Sequence, residues 1–396
     1  MFCSHDHETT GTGKLAEPFK NVFNRDLIAH MGAQLARQSS SFDSQHFTQL
    51  ASDGIDALEF KQRSNHITDA LSLCLPDDFK KASAILTGAL CPETDAETEA
   101  ETDISDPPGD PQGIRGWAIL PMADYVAQKG LEDFDLGMDV LRELTKRSTA
   151  EFAVRAFLLA DTDRAMKHVH HWARSPDRHV RRLASEGIRP RLPWGTRLGM
   201  FVADPSPILP ILNLLKDDPE DYVRRSVANN LNDIAKDHPD LVAEIATDWL
   251  ADTPSPLRSR LVRHACRTLI KKGHQPTLQA LGYHPARITL NTLALDRKTV
   301  LFGQSLGVSA ELQSISDGPQ ELIIDYVIHH RKANGQTSPK VFKWKILQLN
   351  AGEKVTITKS HTFRPITTRT YYPGTHAVEI QANGKSLGQR EFELAM

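Results

Sequence analysis

The chain has 396 residues, which is too long for one simple domain. Its composition, 40% hydrophobic and 24% charged, is that of a globular protein. No run of about 18 apolar residues supports a transmembrane helix, and the amino-terminal stretch lacks the apolar segment of a secretory signal. The four cysteines are widely spaced and form no CxxC pair, which argues against a disulfide framework or a zinc site and is typical of a reducing cytoplasm.

The net charge of −3 conceals an uneven distribution. Residues 1–140 hold 10 basic and 24 acidic residues, residues 141–272 hold 23 and 17, and residues 287–396 hold 14 and 9. Two basic regions behind an acidic one indicate a polyanionic ligand.

The first part of the chain is predicted to be helical, because apolar residues recur at helical spacing over residues 15–90. From Pro92 to Asp110 the chain carries eight acidic residues and no basic one, a composition that cannot bury a core. We therefore expect an N-terminal helical region over 1–91 and an acidic linker or insertion over 92–113.

Residues 114–285 are predicted to form HEAT-like helical repeats. Similar sequences align on Val180, Val223 and Leu261, with spacings of 43 and 38 residues that are typical of HEAT or armadillo-like helical pairs. A fainter copy at 146–158 precedes them. Four copies in register predict an all-α helical solenoid.

The sequence pattern changes after Pro285 from helical spacing to short β-rich stretches. Short β-rich stretches follow one another, separated by turn sequences such as Asn334-Gly335 and Asn383-Gly384. About seven strands in about 110 residues are typical of an immunoglobulin-like sandwich, which we expect over 286–396.

One predicted helix of the repeats carries the residues most suited to chemistry. Its apolar stripe leaves an opposite face with Arg182, Glu186 and Arg189, so that a carboxylate lies between two guanidinium groups. The fainter copy places Glu151 at the position of Glu186. Axes of neighbouring helices lie about 8–10 Å apart, so both carboxylates could face one ligand. A surface ion-pair ladder is the alternative explanation of this spacing.

The cationic positions persist through the later copies and predict a basic groove for phosphates. Arg225 and Arg263 occupy equivalent faces of the next two copies, and Arg181 and Arg191 flank Glu186. We expect these arginines, with Arg182 and Arg189, to bind DNA phosphates.

Trp194 lies in a loop that Pro190 and Pro193 hold extended. An aromatic ring held beside an Arg/Glu face can stack on a nucleobase or pack against deoxyribose, although a lone Trp is also a common core residue. No metal-ligand set or nucleophile signature accompanies these residues, so we expect no metal and no organic cofactor.

Three stretches, 15–24, 116–157 and 175–195, resemble the AlkC-type DNA alkylation repair glycosylases, a family related to the AlkD-type enzymes. The resemblance implies a HEAT-like helical fold, followed in some members by an immunoglobulin-like domain. It implies removal of cationic methylated bases, chiefly 3-methyladenine and 3-methylcytosine, from duplex DNA without extruding the base into a deep pocket. We expect a monomeric, cytoplasmic and nucleoid-associated bacterial enzyme.

On the matching positions, the resemblance makes Glu186 and Glu151 the catalytic candidates and assigns Arg182, Arg189 and Trp194 to DNA. A cationic base leaves readily, so a carboxylate is needed chiefly to stabilise an oxocarbenium-like sugar and to orient water. The alternative function is a non-catalytic helical-repeat scaffold that binds DNA or an acidic protein.

The predicted sandwich carries its own basic cluster. Lys343 and Lys345 share one face of a strand by the two-residue period, and Lys354 and Lys359 lie in the next strand. We expect this domain to contact DNA, so that deleting residues 287–396 leaves a folded helical body that binds lesion DNA weakly. A charge cluster that serves only solubility is the alternative.

Overall fold

The computed structural model describes residues 18–93, 112–251, 253–367 and 369–396. Most of the acidic segment predicted as a linker, residues 94–110, lies outside them. No helix within the described ranges is long and apolar enough to cross a membrane.

The described residues before the sandwich are helical, as the apolar spacing predicts. The α-helices are α1 (Arg25–Ala36), α2 (Ser44–Ser52), α3 (Phe60–Cys74), α4 (Phe79–Gly88), α5 (Ile119–Lys129), α6 (Phe134–Thr145), α7 (Val154–Ala160), α8 (Thr162–Trp172), α9 (Arg178–Glu186), α10 (Gly199–Ala203), α11 (Leu209–Leu215), α12 (Asp221–Ile234), α13 (Pro239–Leu250), α14 (Pro256–Ala265), α15 (Arg267–Lys271) and α16 (Gln275–Ala280). Short 3₁₀ helices span Phe19–Val22, Ile55–Ala57, Gly116–Ala118 and Ser206–Ile208.

The aligned repeat sequences form α9, α12 and α14, and Val180, Val223 and Leu261 are buried in all three. Asp177 begins α9 by accepting hydrogen bonds from the backbone N–H groups of the next turn, a typical N-cap. The helix ends at Glu186, before Pro190, because Gly187 follows with its low helix propensity and its carbonyl accepts a bond from Arg155.

Eight strands form the C-terminal β-sandwich. They are β1 (Ile288–Leu295), β2 (Thr299–Leu301), β3 (Ser305–Ser314), β4 (Gln320–Arg331), β5 (Thr337–Leu349), β6 (Lys354–Thr362), β7 (Gly374–Ala382) and β8 (Lys385–Ala395). One sheet has the order β1-β3-β6 and the other β2-β8-β7-β4-β5. All-α helices followed by an all-β sandwich confirm the predicted fold class.

The sandwich core lies between the two sheets. Alternate residues of β3, such as Leu306 and Val308, pack against Ile324 and Ile328 of β4 and Ile380 of β7. The β7–β8 hairpin turns at Asn383 and Gly384, both with positive φ (45° and 75°), the conformation that the Asn-Gly pair predicts.

The chain divides into two compact units. The first comprises the residues up to Ile188 together with Leu192–Leu198, and the second comprises Arg189–Arg191 and Gly199–Met396. The second unit therefore holds α10 to α16 as well as the whole sandwich.

Within the second unit, β4 is covered on both faces. Its inward residues join the sandwich core, while Ile323 on the other face packs against Leu278 and Tyr283 from the end of the helical region. A strand buried on both faces reads as a continuous apolar run, which explains the sequence ELIIDYVI.

Hydrogen bonds and close backbone packing complete this junction. The Asn383 amide donates to the carbonyl of His284 (2.7 Å) and accepts from the backbone N–H of Ile323 (2.7 Å). Gly273, which follows α15, lies so close to Gly384 that a Cβ on Gly273 would be 2.7 Å from the Gly384 Cα. The helical end of the unit and the sandwich are thus packed together rather than joined by a free tether.

Candidate active site

Arg182 of α9 links the two carboxylates that the sequence singles out. Its Nη1 donates to Oε2 of Glu151, and its Nη2 lies 3.4 Å from Oε1 of Glu186. The Arg182 guanidinium thus lies between two carboxylates. Glu151 and Glu186 are thereby held at one guanidinium, which confirms that the two repeats bring them together. The predicted placement of Glu186 between the guanidinium groups of Arg182 and Arg189 stays a prediction.

A short turn before α7 positions Glu151. The Thr149 hydroxyl donates to Oε2 of Glu151 (2.7 Å), and the Glu151 backbone N–H donates to the same hydroxyl (3.2 Å). Arg182 Nη1 also donates to the Thr149 hydroxyl (2.8 Å). The Glu151 carboxylate is therefore fixed by neutral and charged donors together, the arrangement that preorganises an ionised group.

These charged side chains are buried. The residues Glu151, Arg182 and Glu186 are 8%, 9% and 4% exposed. A surface ion-pair ladder is therefore not the explanation of their spacing. Burying charges costs free energy that direct pairing offsets.

Trp194 is 57% exposed, so it is not a core residue. Its backbone has a φ of 65°, in the left-handed region that non-glycine residues rarely adopt. The ring centroid lies 6.1 Å from that of Phe60, at the edge of an aromatic group that includes Trp117. An exposed aromatic ring on a strained loop is typical of a functional position.

Two cations that the sequence analysis did not select hold this loop. The Lys61 ammonium donates to the Trp194 carbonyl (2.6 Å), and the buried Arg155 donates to the carbonyls of Thr196 and Gly187 (3.0 Å to Gly187). Lys61 also lies near Asp124. Burial raises the pKa of Asp124 to about 6, while the hydrogen bond from Ser64 and the charge of Lys61 act to lower it. Sequence spacing gave no signal for these residues, because their partners lie on distant elements.

In the second unit, Arg189 pairs with Asp233 of α12. Nε of Arg189 donates to Oδ2 of Asp233 (2.8 Å), and the Lys236 ammonium donates to its Oδ1 (2.8 Å). Arg191 makes a two-point pair with Asp237 (2.7 and 2.6 Å). Asp233, which is 1% exposed, is a further charged residue that sequence reasoning missed.

The remaining predicted DNA-binding residues differ in their surroundings. Arg181 donates to the carbonyls of Ser175 and Pro176, which precede its own helix. Arg225 forms a half-exposed pair with Asp221 (3.1 Å). Their assignment to DNA stays a prediction.

Arg263 and the two strand lysines lie in the second unit. Arg263 donates to the Tyr283 hydroxyl (2.9 Å) and lies over its ring. Lys343 and Lys345 are both exposed and alternate with Phe342 and Trp344, which pack on the sandwich core. A β-bulge interrupts the two-residue period between them: Lys343 pairs with Asp325, whereas Lys345 pairs with the core residue Ile324, and these two partners lie on opposite faces of β4. The prediction that the two lysines share one face of the strand is therefore wrong.

Family comparisons match both parts of the chain. Residues 118–269 match the model of the DNA alkylation repair enzyme family, and residues 289–396 match the C-terminal Ig-like domain of the uncharacterised protein YhaZ. The uncharacterized protein YhaZ of Bacillus subtilis (strain 168) is 35% identical over 377 residues, which cover 95% of this chain and 99% of that protein.

A solved structure extends the likeness to the fold. The Pseudomonas fluorescens alkylpurine DNA glycosylase AlkC, bound to DNA containing an abasic-site analogue, is 35% identical to this chain and superposes with a TM-score of 0.83. The match covers 95% of this chain and 99% of that one. The family resemblance drawn from the sequence and the immunoglobulin-like nature of the sandwich are both confirmed.

Proposed function

Because the chain belongs to the DNA alkylation repair enzyme family with a C-terminal Ig-like domain, we propose that it is a monofunctional DNA glycosylase acting on cationic methylated bases. Its substrates are 3-methyladenine and 3-methylcytosine in duplex DNA. It acts as a monomer and without extruding the base into a deep pocket. The observation that carries this proposal is the buried pair of carboxylates, Glu151 and Glu186, at the Arg182 guanidinium.

The proposed reaction suits that arrangement. An N3-methylated base is positively charged and leaves with the electron pair of the C1′–N bond, so it becomes neutral without an added proton. Positive charge then develops on the sugar, and the Glu186 carboxylate stabilises it. Water attacks C1′ and gives its proton to one of the two carboxylates, which leaves an abasic site and the free base.

Arg182 acts as the positioning residue in this scheme. Its guanidinium contacts both carboxylates and holds them in place before substrate binds. Trp194 offers its exposed ring to a base or sugar of the DNA, and Lys61 and Arg155 hold its loop. The arginines of the later repeats and the strand lysines bind backbone phosphates.

Base release is the direct test. The purified protein is incubated with methylated duplex DNA and with a duplex containing one 3-methylcytosine, and the released bases are separated by chromatography. Free 3-methyladenine and 3-methylcytosine are the expected products. Binding without release would instead support a non-catalytic DNA-binding role, and neither binding nor release would favour a scaffold for another partner.

A further inference from the structure

A basic cleft lies within the second unit, where the last helices face the five-stranded sheet. Its volume is about 170 Å³, room for several water molecules. Arg263, Arg267 and Lys271 line it from the helical side, and Asp325 of β4 and Lys343 of β5 line it from the sheet. Four cations and one carboxylate therefore converge on one opening.

None of these four cations forms a salt bridge with another described residue. Arg263 donates to the neutral Tyr283 hydroxyl (2.9 Å). Arg267 donates to the Asn229 side-chain oxygen (3.1 Å) and to the carbonyl of His264 (2.8 Å). These acceptors orient the guanidinium groups without neutralising them, so the positive charge of the cleft is left for a ligand.

Asp325 is the one acidic residue in the lining. It is buried on the face of β4 that Ile323 uses to meet the helices, and it lies opposite Lys343 in the strand register. Burial raises the pKa of Asp325 to about 6, while Lys343 and Lys271 act in the opposite direction. A single carboxylate of this kind does not balance four cations.

We propose that this cleft binds one phosphate of the DNA backbone, with Lys271 and Lys343 contacting it from the helical and the sheet side. The inference rests on the proposed function and adds Arg267 and Lys271 to the DNA-binding residues. Holding four cations around one opening is unfavourable unless an anion joins them. A tetrahedral oxyanion fits both the size of the opening and the planar donors of the two arginines.

Substitution of both lysines tests the proposal. Lys271 and Lys343 are exposed, so Lys271→Gln and Lys343→Gln should leave the fold intact, which circular dichroism checks. Binding of a labelled duplex containing an abasic-site analogue is followed by fluorescence anisotropy at several salt concentrations. Lys340→Gln, which removes an exposed charge from the same strand outside the cleft, is the matched control.

The double variant should lower the slope of log K against log salt by about 0.9, the value for one phosphate. The ratio of the wild-type to the variant association constant then falls about 3.5-fold when the salt concentration rises from 50 to 200 mM. Lys340→Gln should keep the wild-type slope. An unchanged slope in the double variant, or a fall of about 1.8 that indicates two separate phosphates, would overturn the single-phosphate site.

Two further readouts separate the possible failures. Wild-type protein that neither binds the duplex nor releases methylated bases would contradict the proposed function itself. Wild-type protein that does both, beside a double variant with an unchanged salt slope, would contradict only the phosphate site. Calorimetric titration with inorganic phosphate tests whether the cleft binds free phosphate instead of a DNA phosphate. If the double variant loses phosphate binding but keeps the wild-type salt slope of DNA binding, the cleft is a site for free phosphate.

Discussion

Arg182 and Glu186 lie one turn apart on α9, with 3.4 Å between Nη2 of the guanidinium and Oε1 of the carboxylate. Both side chains are almost fully buried, so neither can move freely between alternative partners. The helix that supplies the cation thus also supplies one of the carboxylates that the cation orients. Glu186 is therefore the first of the two acidic groups to test.

Glu186→Gln should lower the rate of base release by about 10²- to 10³-fold, because the amide keeps the shape but loses the charge that stabilises an oxocarbenium ion. DNA affinity should change little or rise slightly, since a negative charge near phosphates is removed. Single-turnover release and anisotropy binding measure the two effects. The exposed Glu132→Gln serves as the control, and a Glu186→Gln protein with the wild-type rate would remove Glu186 from the catalytic role.

Glu151→Gln and the double variant Glu151→Gln/Glu186→Gln address whether the carboxylates act as one unit. Because both contact Arg182, we expect the double variant to lose hardly more activity than the Glu186 variant alone. If the fold loss in rate of the double variant instead equals the product of the fold losses of the two single variants, the two carboxylates contribute independently. The measurement is the same single-turnover assay, with urea denaturation to confirm that each variant is folded.

Breaking the Arg189–Asp233 pair should lower the free energy of unfolding strongly. Asp233→Asn removes the charge that faces a buried guanidinium, and breaking a buried ion pair costs about 3–5 kcal/mol. The Arg191–Asp237 pair is about a quarter exposed, so Asp237→Asn should cost below about 1 kcal/mol. Urea denaturation measures both free energies of unfolding. Equal losses would contradict the distinction drawn from burial.

The strands were more predictable than the charge partners. Seven of the eight strands follow from alternation and turn residues, whereas β2 has three residues and is too short to show a period. Periodicity also placed Arg182 and Glu186 together, because one turn of a helix fixes their spacing.

Partners from other elements could not be predicted in this way. Asp233 lies 44 residues after Arg189, and Lys61 lies 133 residues before the Trp194 carbonyl that it contacts. A helical period tells which residues share a face, but not which side chain of another element meets that face. For the same reason the cleft around Lys271 and Lys343 is visible only in the folded chain.

Trp194→Ala should separate binding from folding. The ring is more than half exposed, so its removal should cost little stability, while loss of a stacking surface should weaken DNA binding by about 1–3 kcal/mol, or about 5- to 150-fold. Trp194→Phe keeps an aromatic face and should retain most of the affinity. Anisotropy titration measures both variants. Wild-type affinity of Trp194→Ala would show that the ring does not touch DNA.

Acid should destabilise the sandwich through three buried histidines. The ring centroid of His330 lies 5.8 Å from that of His376 and 6.5 Å from that of His361. Burial, with a smaller contribution from Arg369, lowers the pKa of His330 to about 3 and of His361 to about 4, and burial also lowers the pKa of His376. The unfolded chain binds protons on these rings near pH 6.5, whereas the folded chain does not.

Stability must therefore fall as the pH drops from about 6.5 towards 4, by at most about 1.4 kcal/mol per pH unit for each ring. Asp325 acts in the opposite sense, because its raised pKa makes the folded state bind a proton near pH 6 while the unfolded state does so near 3.9.

Comparing the pH dependence of a variant with that of the wild type tests the contribution of one histidine. The Nδ1 atom of His330 has no hydrogen-bond partner among the described residues, and aromatic rings surround it, so a phenyl ring should fit in its place. His330→Phe should keep its stability at pH 7 and flatten the dependence of unfolding free energy on pH between 6 and 4.5 by up to one proton. Urea denaturation across this pH range measures both proteins, and a His330→Phe curve parallel to the wild-type curve would show that this ring is protonated equally in both states.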